Sequence, residues 1–171
     1  MVAYGVRLSA AAALALVLGL GLGLGACARN NADSMAGAGA GGGMAAAGPG
    51  SVAEFNQTVG DRVFFDSDQT DLTPTAQATL DKQANWLNQY NRYSFTIEGH
   101  ADERGTREYN FALGARRAQS VRDYLVAKGV PASRMRTISY GKERPVAICD
   151  DISCWSQNRR AVTVLNGAPG S

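Results

Sequence analysis

The alternation of apolar and polar residues predicts four strands and two helices between residues 62 and 165. Short apolar or alternating runs, each bounded by turn-forming residues, indicate strands at residues 62–65, 93–98, 136–140 and 160–165. An apolar residue at every third or fourth position indicates one helix that begins at Thr73-Pro74 and ends near Tyr90. A second helix is capped by Thr106 and runs to about Lys128. The order β-α-β-α-β-loop-β predicts an α+β fold with helices packed on a small mixed sheet.

The second predicted helix carries an apolar face with a polar flank. Asn110 and Arg117 project within about 20° of each other at the edge of the apolar face, so we expect both at a half-buried rim. Arg116 projects into solvent. The first helix is predicted to bury Ala76, Leu80, Ala84 and Leu87, and the second Phe111, Gly114, Ala118, Val121 and Leu125.

The N-terminus is predicted to be a bacterial lipoprotein signal peptide that spans residues 1–26. One cation, Arg7, precedes an apolar run of about 17 residues, which is at the lower limit for a membrane span. The sequence Leu24-Gly25-Ala26-Cys27 resembles a lipobox, which predicts cleavage before Cys27 and lipidation of Cys27. Ala28 follows, and by resemblance to known sorting behaviour the absence of an aspartate there favours the outer membrane. An uncleaved anchor and a secreted form are the alternatives.

Residues 27–52 are predicted to be a lipidated, flexible linker. The stretch from residue 35 to residue 50 contains seven glycines and six alanines, without apolar periodicity. Such a linker spans roughly 25–30 Å when relaxed and about 80 Å when stretched. We therefore expect a tethered domain at residues 53–166 that reaches away from a membrane, followed by a disordered tail at residues 167–171.

The charge and the polar residues exclude several classes of function. A formal net charge of +2 is too balanced for a nucleic-acid partner. No nucleophile pattern or phosphate-binding glycine loop is present, so no catalytic residue and no cofactor are predicted. His100 is the only histidine, which argues against a metal site, and we expect a packed or hydrogen-bonded side chain that supports its loop.

Cys149 and Cys154 flank a four-residue segment near the C-terminus. In the oxidising periplasm two nearby cysteines usually pair, so the sequence predicts a disulfide that braces the long loop before the last strand. A metal-binding pair is the alternative, although other ligands are lacking.

Several ordered blocks resemble the OmpA-like peptidoglycan-binding domain. The first block is Glu98-Gly99-His100-Ala101-Asp102-Glu103-Arg104-Gly105-Thr106, which follows a predicted strand and opens a helix. The resemblance covers about residues 60–166 and includes Glu108-Tyr109-Asn110, Arg116-Arg117-Ala118, Ser139-Tyr140-Gly141-Lys142-Glu143-Arg144-Pro145 and Asn158-Arg159-Arg160-Ala161-Val162.

The resemblance implies a binding site for the diaminopimelate residue of the peptidoglycan stem peptide. Asp102 and Arg117 match the acid and the arginine that bind this residue in the family, Asn110 matches an asparagine that hydrogen-bonds it, and Asp68 matches an acid that lines the site. Ser67 departs from the larger residue often found before that acid. An acid and a guanidinium together suit an ammonium and a carboxylate carried on one carbon.

The resemblance also implies partners and a location. Lipid-anchored members of the family bind peptidoglycan and TolB, and possibly TolA, and they link the outer membrane to the wall in envelope integrity and cell division. Two other functions stay open at this point. One is a periplasmic peptidoglycan-modifying enzyme, and the other is the wall-anchoring subunit of another envelope complex.

Overall fold

The computed structural model describes residues 48–167, in which helices pack on one face of a four-stranded sheet. The strands are β1 (Arg62–Phe64), β2 (Phe95–His100), β3 (Met135–Gly141) and β4 (Arg160–Leu165), in the order β1-β4-β2-β3. Strand β2 pairs with β3 in parallel and with β4 antiparallel, and β4 pairs with β1 antiparallel. The predicted α+β class with a small mixed sheet is confirmed. The predicted signal peptide, Cys27 and most of the predicted linker and tail lie outside the described residues.

Both long helices form where the sequence predicts them. Helix α2 spans Pro74–Gln89 and helix α3 spans Arg107–Ala127. Each begins after a threonine whose hydroxyl oxygen accepts a hydrogen bond from a backbone N–H three residues later, at 3.2 Å in both helices. Since these caps satisfy N–H groups that the helix itself leaves unpaired, they fix the two starting points.

Two further helical segments were not predicted. Helix α1 (Val52–Glu54) continues into a π-helical turn at Phe55–Gly60, and α4 (Ile152–Asn158) replaces part of the predicted loop before β4. A single 3₁₀ turn, Ala132–Arg134, precedes β3. Each segment is too short to establish an apolar repeat, so periodicity gives no signal for it.

The inward face of α3 differs from the predicted one. Phe111 is 56% exposed, so its predicted place in the core is wrong, and Leu113 is buried instead. Asn110 and Arg117 are 1% and 0% exposed, so the predicted rim position of both is also wrong. The helix is rotated so that these two polar residues face the sheet. The predicted face of α2 is confirmed, since the buried core includes Ala76, Leu80, Ala84 and Leu87.

The chain is held firmly at the point where it enters the fold. The backbone oxygen of Gly50 accepts hydrogen bonds from the Tyr93 hydroxyl at 2.7 Å and from Arg92 Nη2 at 2.6 Å. The Glu54 carboxylate accepts from the Gly50 N–H and from Trp86 Nε1, both at 2.7 Å. The entry point therefore lies beside the start of β2, slightly before the predicted start of the domain.

Among the described residues, no helix combines the length and the apolar character that crossing a membrane requires.

Candidate ligand-binding site

The loop between β2 and α3 carries Asp102 and is held in place by the side chains of Asn110 and Lys142. Asn110 Nδ2 donates to the backbone oxygen of Arg104 at 2.7 Å, and Lys142 Nζ donates to the backbone oxygens of Glu103 and Gly105 at 3.1 and 2.7 Å. Gly105 has a φ of +86°, which the loop needs in order to turn into α3. The loop is thus fixed from the helix below and from the segment that follows β3.

Asp102 lies near the start of this loop with its carboxylate already paired. Arg104 donates from its backbone N and its Nε to Oδ1, both at 3.2 Å, and from Nη2 to Oδ2 at 2.7 Å. Arg159 Nη1 donates to Oδ2 at 3.3 Å. Burial alone would raise the pKa of Asp102, but the hydrogen bonds and charge of Arg104, and the bond from Arg159, lower it below its ordinary value. The carboxylate is therefore ionised at neutral pH.

Arg117 lies beneath the site and binds three backbone carbonyls. Its Nε, Nη1 and Nη2 donate to the oxygens of Gln69 at 2.9 Å, His100 at 2.8 Å and Asp66 at 3.0 Å. Burial first, and then repulsion from Arg159, lower its pKa to about 10, so it remains charged at neutral pH. Arg117 thereby joins the end of β2 to the loop after β1.

The structure brings Asp102 and Arg117 together at one end of the sheet. Arg117 bonds to His100, which is two residues before Asp102. Arg159 likewise joins the end of β1 to the loop after β2, because its Nε donates to the backbone oxygen of Phe65 at 3.1 Å while its Nη1 donates to Asp102. Beside Arg159 a cavity of about 380 Å³ is lined by Phe64, Phe65, Asp66, Thr73, Ser156, Gln157 and Arg159.

Asp68 lies on the exposed loop after β1, at the same end of the sheet. Its φ of +57° is a left-handed conformation that aspartate tolerates better than most residues. The Tyr109 hydroxyl donates to Asp68 Oδ1 at 3.2 Å, which ties the loop to the start of α3. Of the four predicted ligand-binding residues, Asp102, Asn110 and Arg117 are buried and Asp68 is exposed.

The sequence did not predict three residues that contact Asp102 or the loop that carries it, namely Arg104, Arg159 and Trp155. The Arg104 guanidinium carbon lies 4.5 Å from the centre of the Trp155 ring, and Trp155 Nε1 donates to Glu103 Oε1 at 2.8 Å. Arg104 Nη2 also donates to the Ser67 hydroxyl at 2.7 Å. A signal existed for Arg159, because two adjacent arginines stand where a largely apolar strand begins, and buried charges require partners.

The arrangement suits recognition of a ligand with both charges. Two guanidinium groups, those of Arg104 and Arg159, pair with the ionised Asp102 carboxylate, a third, that of Arg117, lies beneath them, and further acids lie on the loop after β1. His100 is 2% exposed, and its ring stacks against Tyr140 with 5.5 Å between the centroids. Neither ring nitrogen has a hydrogen-bond partner among the described residues. Burial and then the charges of Arg160 and Arg144 lower its pKa to about 4, so its ring is neutral at pH 7.

Cys149 and Cys154 form a disulfide with a Cα–Cα distance of 5.6 Å. Within residues 48–167, these two sulfurs and a carboxylate oxygen of Asp151 form the one group of three candidate metal ligands, which lie within 4.8 Å of one another. A disulfide removes the thiolates that a metal would need. The described cysteines therefore brace the start of α4.

Comparison with known proteins gives consistent relatives. A model of the OmpA family matches residues 64–159. A peptidoglycan-associated lipoprotein of Rhizobium meliloti is 72% identical over 123 residues, which cover 72% of this chain and 70% of that protein. A protein of the same name from Pseudomonas aeruginosa is 50% identical over 97 residues, which are 57% of each chain.

The solved structures agree with this likeness. The crystal structure of the peptidoglycan-associated lipoprotein from Burkholderia pseudomallei is 40% identical, with a TM-score of 0.62, and covers 65% of this chain and 96% of that one. The C-terminal domain of Helicobacter pylori MotB, with 20% identity and a TM-score of 0.59 over 64% of this chain and 86% of that one, shares the fold. The family match spans more than half of the sequence, and it includes Asp102, Asn110 and Arg117. The chain belongs to the OmpA family.

Proposed function

We propose that this chain binds peptidoglycan non-covalently and tethers the outer membrane to the cell wall. The observation that carries the proposal is the ionised Asp102 carboxylate held among guanidinium groups at the end of β2. The family match and the names of the relatives support peptidoglycan as the ligand. The role needs no bond-breaking step, so the protein acts by binding rather than by catalysis.

The ligand is the diaminopimelate residue of the stem peptide, whose free end carries an ammonium and a carboxylate. Asp102 accepts from the ammonium. Arg117 is fully buried, so we expect the loop after β1 to move aside before its Nη1 and Nη2, which each have a second hydrogen beyond the bonds to His100 and Asp66, donate to the carboxylate. Asn110 supports the loop and offers its amide to the ligand, and Asp68 lines the outer side of the site. Charge-assisted bonds of this kind are stronger than neutral ones.

The rest of the chain gives this domain its place in the envelope. Lipid on Cys27 anchors it in the outer membrane, and the glycine- and alanine-rich segment lets the domain reach the wall on the periplasmic side. By likeness to the peptidoglycan-associated lipoproteins, it works with TolB, and possibly TolA, in the Tol-Pal system, which serves envelope integrity and cell division.

Co-sedimentation with isolated peptidoglycan sacculi tests the proposal. The mature chain is made without lipid through Cys27→Ser, and Asp102→Ala and Arg117→Ala are compared with the exposed control Arg116→Ala. We expect each site variant to lose at least about 2 kcal/mol of binding because an unpaired charge remains in the site, while the control binds like the parent. Equal sedimentation of parent, site variants and control contradicts the assignment of the site.

A further inference from the structure

The Asp102 carboxylate has no free position for a ligand ammonium in the described structure. A carboxylate offers about four acceptor positions, and four N–H groups of Arg104 and Arg159 occupy Asp102. Two of these donors are fixed in place, because one is a backbone N–H and the other belongs to a side chain that is 8% exposed. The Arg104 side chain is 44% exposed, so its guanidinium is the donor that can leave.

Trp155 provides a support for that guanidinium that does not depend on Asp102. The guanidinium lies over the indole ring, and arginine stacks favourably on aromatic faces. The ring itself is fixed, because its Nε1 donates to Glu103 and its neighbour Cys154 is bonded to Cys149. Arg104 can therefore release Asp102 and remain over the site.

We propose that Trp155 is a positioning residue for ligand binding, which holds Arg104 in place while Arg104 exchanges Asp102 for the carboxylate of the ligand. The inference rests on the proposed function. Before binding, Asp102 and Arg104 form one ion pair. After binding, Asp102 pairs with the ligand ammonium, and Arg104 joins Arg117 in donating to the ligand carboxylate, which has about four acceptor positions. No charge is left without a partner, so the exchange avoids the cost of an unpaired charge in a partly buried site.

Variants at Trp155 test this role in the non-lipidated mature chain, with L-alanyl-D-glutamyl-meso-diaminopimelate as the probe in calorimetric titration. Trp155→Leu removes the aromatic face, and we expect binding to weaken about five- to tenfold, which lies between the effect of an exposed cation–π contact and that of a desolvated one. Trp155→Phe keeps a face, and we expect it to stay within about threefold of the parent. Ile152→Ser, an exposed change on the same helix, is the control and should bind like the parent.

A double-mutant cycle separates positioning from a general effect on the fold. In an Arg104→Gln background, Trp155→Leu should cause no further loss, because the group that it holds is gone. An equal additional loss in that background overturns the proposal. Tighter binding by Trp155→Leu also overturns it, because Trp155 would then be keeping Arg104 closed on Asp102.

Tryptophan fluorescence adds a direct readout. The sequence contains two tryptophans, so Trp86→Phe leaves Trp155 as the sole reporter. We expect saturation with the tripeptide to change the emission of Trp155, and the change to disappear with Arg104→Gln. Binding without any change in emission overturns the inference while leaving the proposed function intact. Failure of the parent chain to bind either the tripeptide or sacculi overturns the proposed function and this inference with it.

Discussion

Gly99 of β2 and Gly114 of α3 meet backbone to backbone, with no space for a side chain on either residue. A Cβ on Gly114 would lie 2.8 Å from the Gly99 oxygen and 2.5 Å from the Ser139 hydroxyl oxygen. This contact brings α3 directly against the sheet at the level of the site. It explains why Asn110 and Arg117, four residues before and three residues after Gly114, face inward rather than lying at a rim.

We expect Gly114→Ala to destabilise the domain despite the higher helix propensity of alanine. The forced movement of α3 should cost about 1–3 kcal/mol, which exceeds the gain of up to about 1 kcal/mol from propensity. Urea unfolding measures the difference. Ala115→Gly, on the exposed side of the same helix, reports the propensity effect alone. An increase in stability on Gly114→Ala would show that the helix and the strand are not in close contact.

Arg117 should contribute to stability as well as to binding. We expect Arg117→Met to lower the free energy of unfolding by about 2–4 kcal/mol, because three backbone oxygens lose their buried donor. The neighbouring exposed change Arg116→Met should stay within about 0.5 kcal/mol of the parent. Chemical denaturation of both variants checks this, and equal stabilities would contradict a structural role for Arg117.

His100 should make the domain sensitive to mild acid. The unfolded chain protonates His100 near pH 6.5, whereas the folded chain holds its pKa at about 4. As the pH falls from 6.5 to 4, the unfolded state binds a proton that the folded state does not. The free energy of unfolding therefore decreases over this range, by about 3 kcal/mol once the pH is below 4.

Denaturation at pH 7 and pH 5 isolates this effect, because carboxyl groups with lowered pKa values, such as Asp102, lose their stabilisation only below about pH 4. His100→Phe keeps an aromatic ring against Tyr140 and should unfold with nearly the same free energy at both pH values. If His100→Phe loses as much free energy of unfolding between pH 7 and pH 5 as the parent does, the acid sensitivity comes from another group.

The disulfide should stabilise the segment around α4. Oxidation of Cys149 and Cys154 lowers the mass by two units, which intact-mass measurement with and without reductant detects. We expect reduction to cost about 2 kcal/mol, the entropy of closing a small loop. The double change Cys149→Ser and Cys154→Ser should reproduce that loss and abolish the response to reductant. Unchanged mass on reduction would mean that the thiols are free.

The sequence predicted the long elements well because their signals are local. Helix α2 repeats its apolar stripe over four turns and begins with Thr73-Pro74, so both the element and its inward face follow from neighbouring residues. Helix α4 has seven residues and begins after Asp151, whose side chain caps it, and no repeat can form over that length.

The site could be predicted only in part. Asp102, Asn110, Arg117 and Asp68 were named through the family resemblance, and the structure brings them to one end of the sheet. The bonds that define their surroundings join distant residues, as Arg159 does with Asp102 and Trp155 does with Glu103. Contacts between residues far apart in the sequence leave no local pattern, so the sequence alone could not predict them. The predicted inward face of α3 was wrong for a related reason. Counting Phe111 as apolar turned the predicted face toward it, whereas the backbone contact between Gly99 and Gly114 determines which residues face the sheet.

The anchoring of Gly50 beside the start of β2 has a mechanical consequence. The chain enters the fold at one end of this central strand, and the candidate site lies at its other end. Under the proposed function, tension between a membrane and a bound wall would pull along β2, which is hydrogen-bonded to β3 and β4 on its two sides. A load that acts at the two ends of one strand runs along its covalent backbone, so the ladder bonds, which lie across the strand direction, are not opened one after another. The fold is therefore oriented to resist being pulled apart in the direction in which a tether would be stretched.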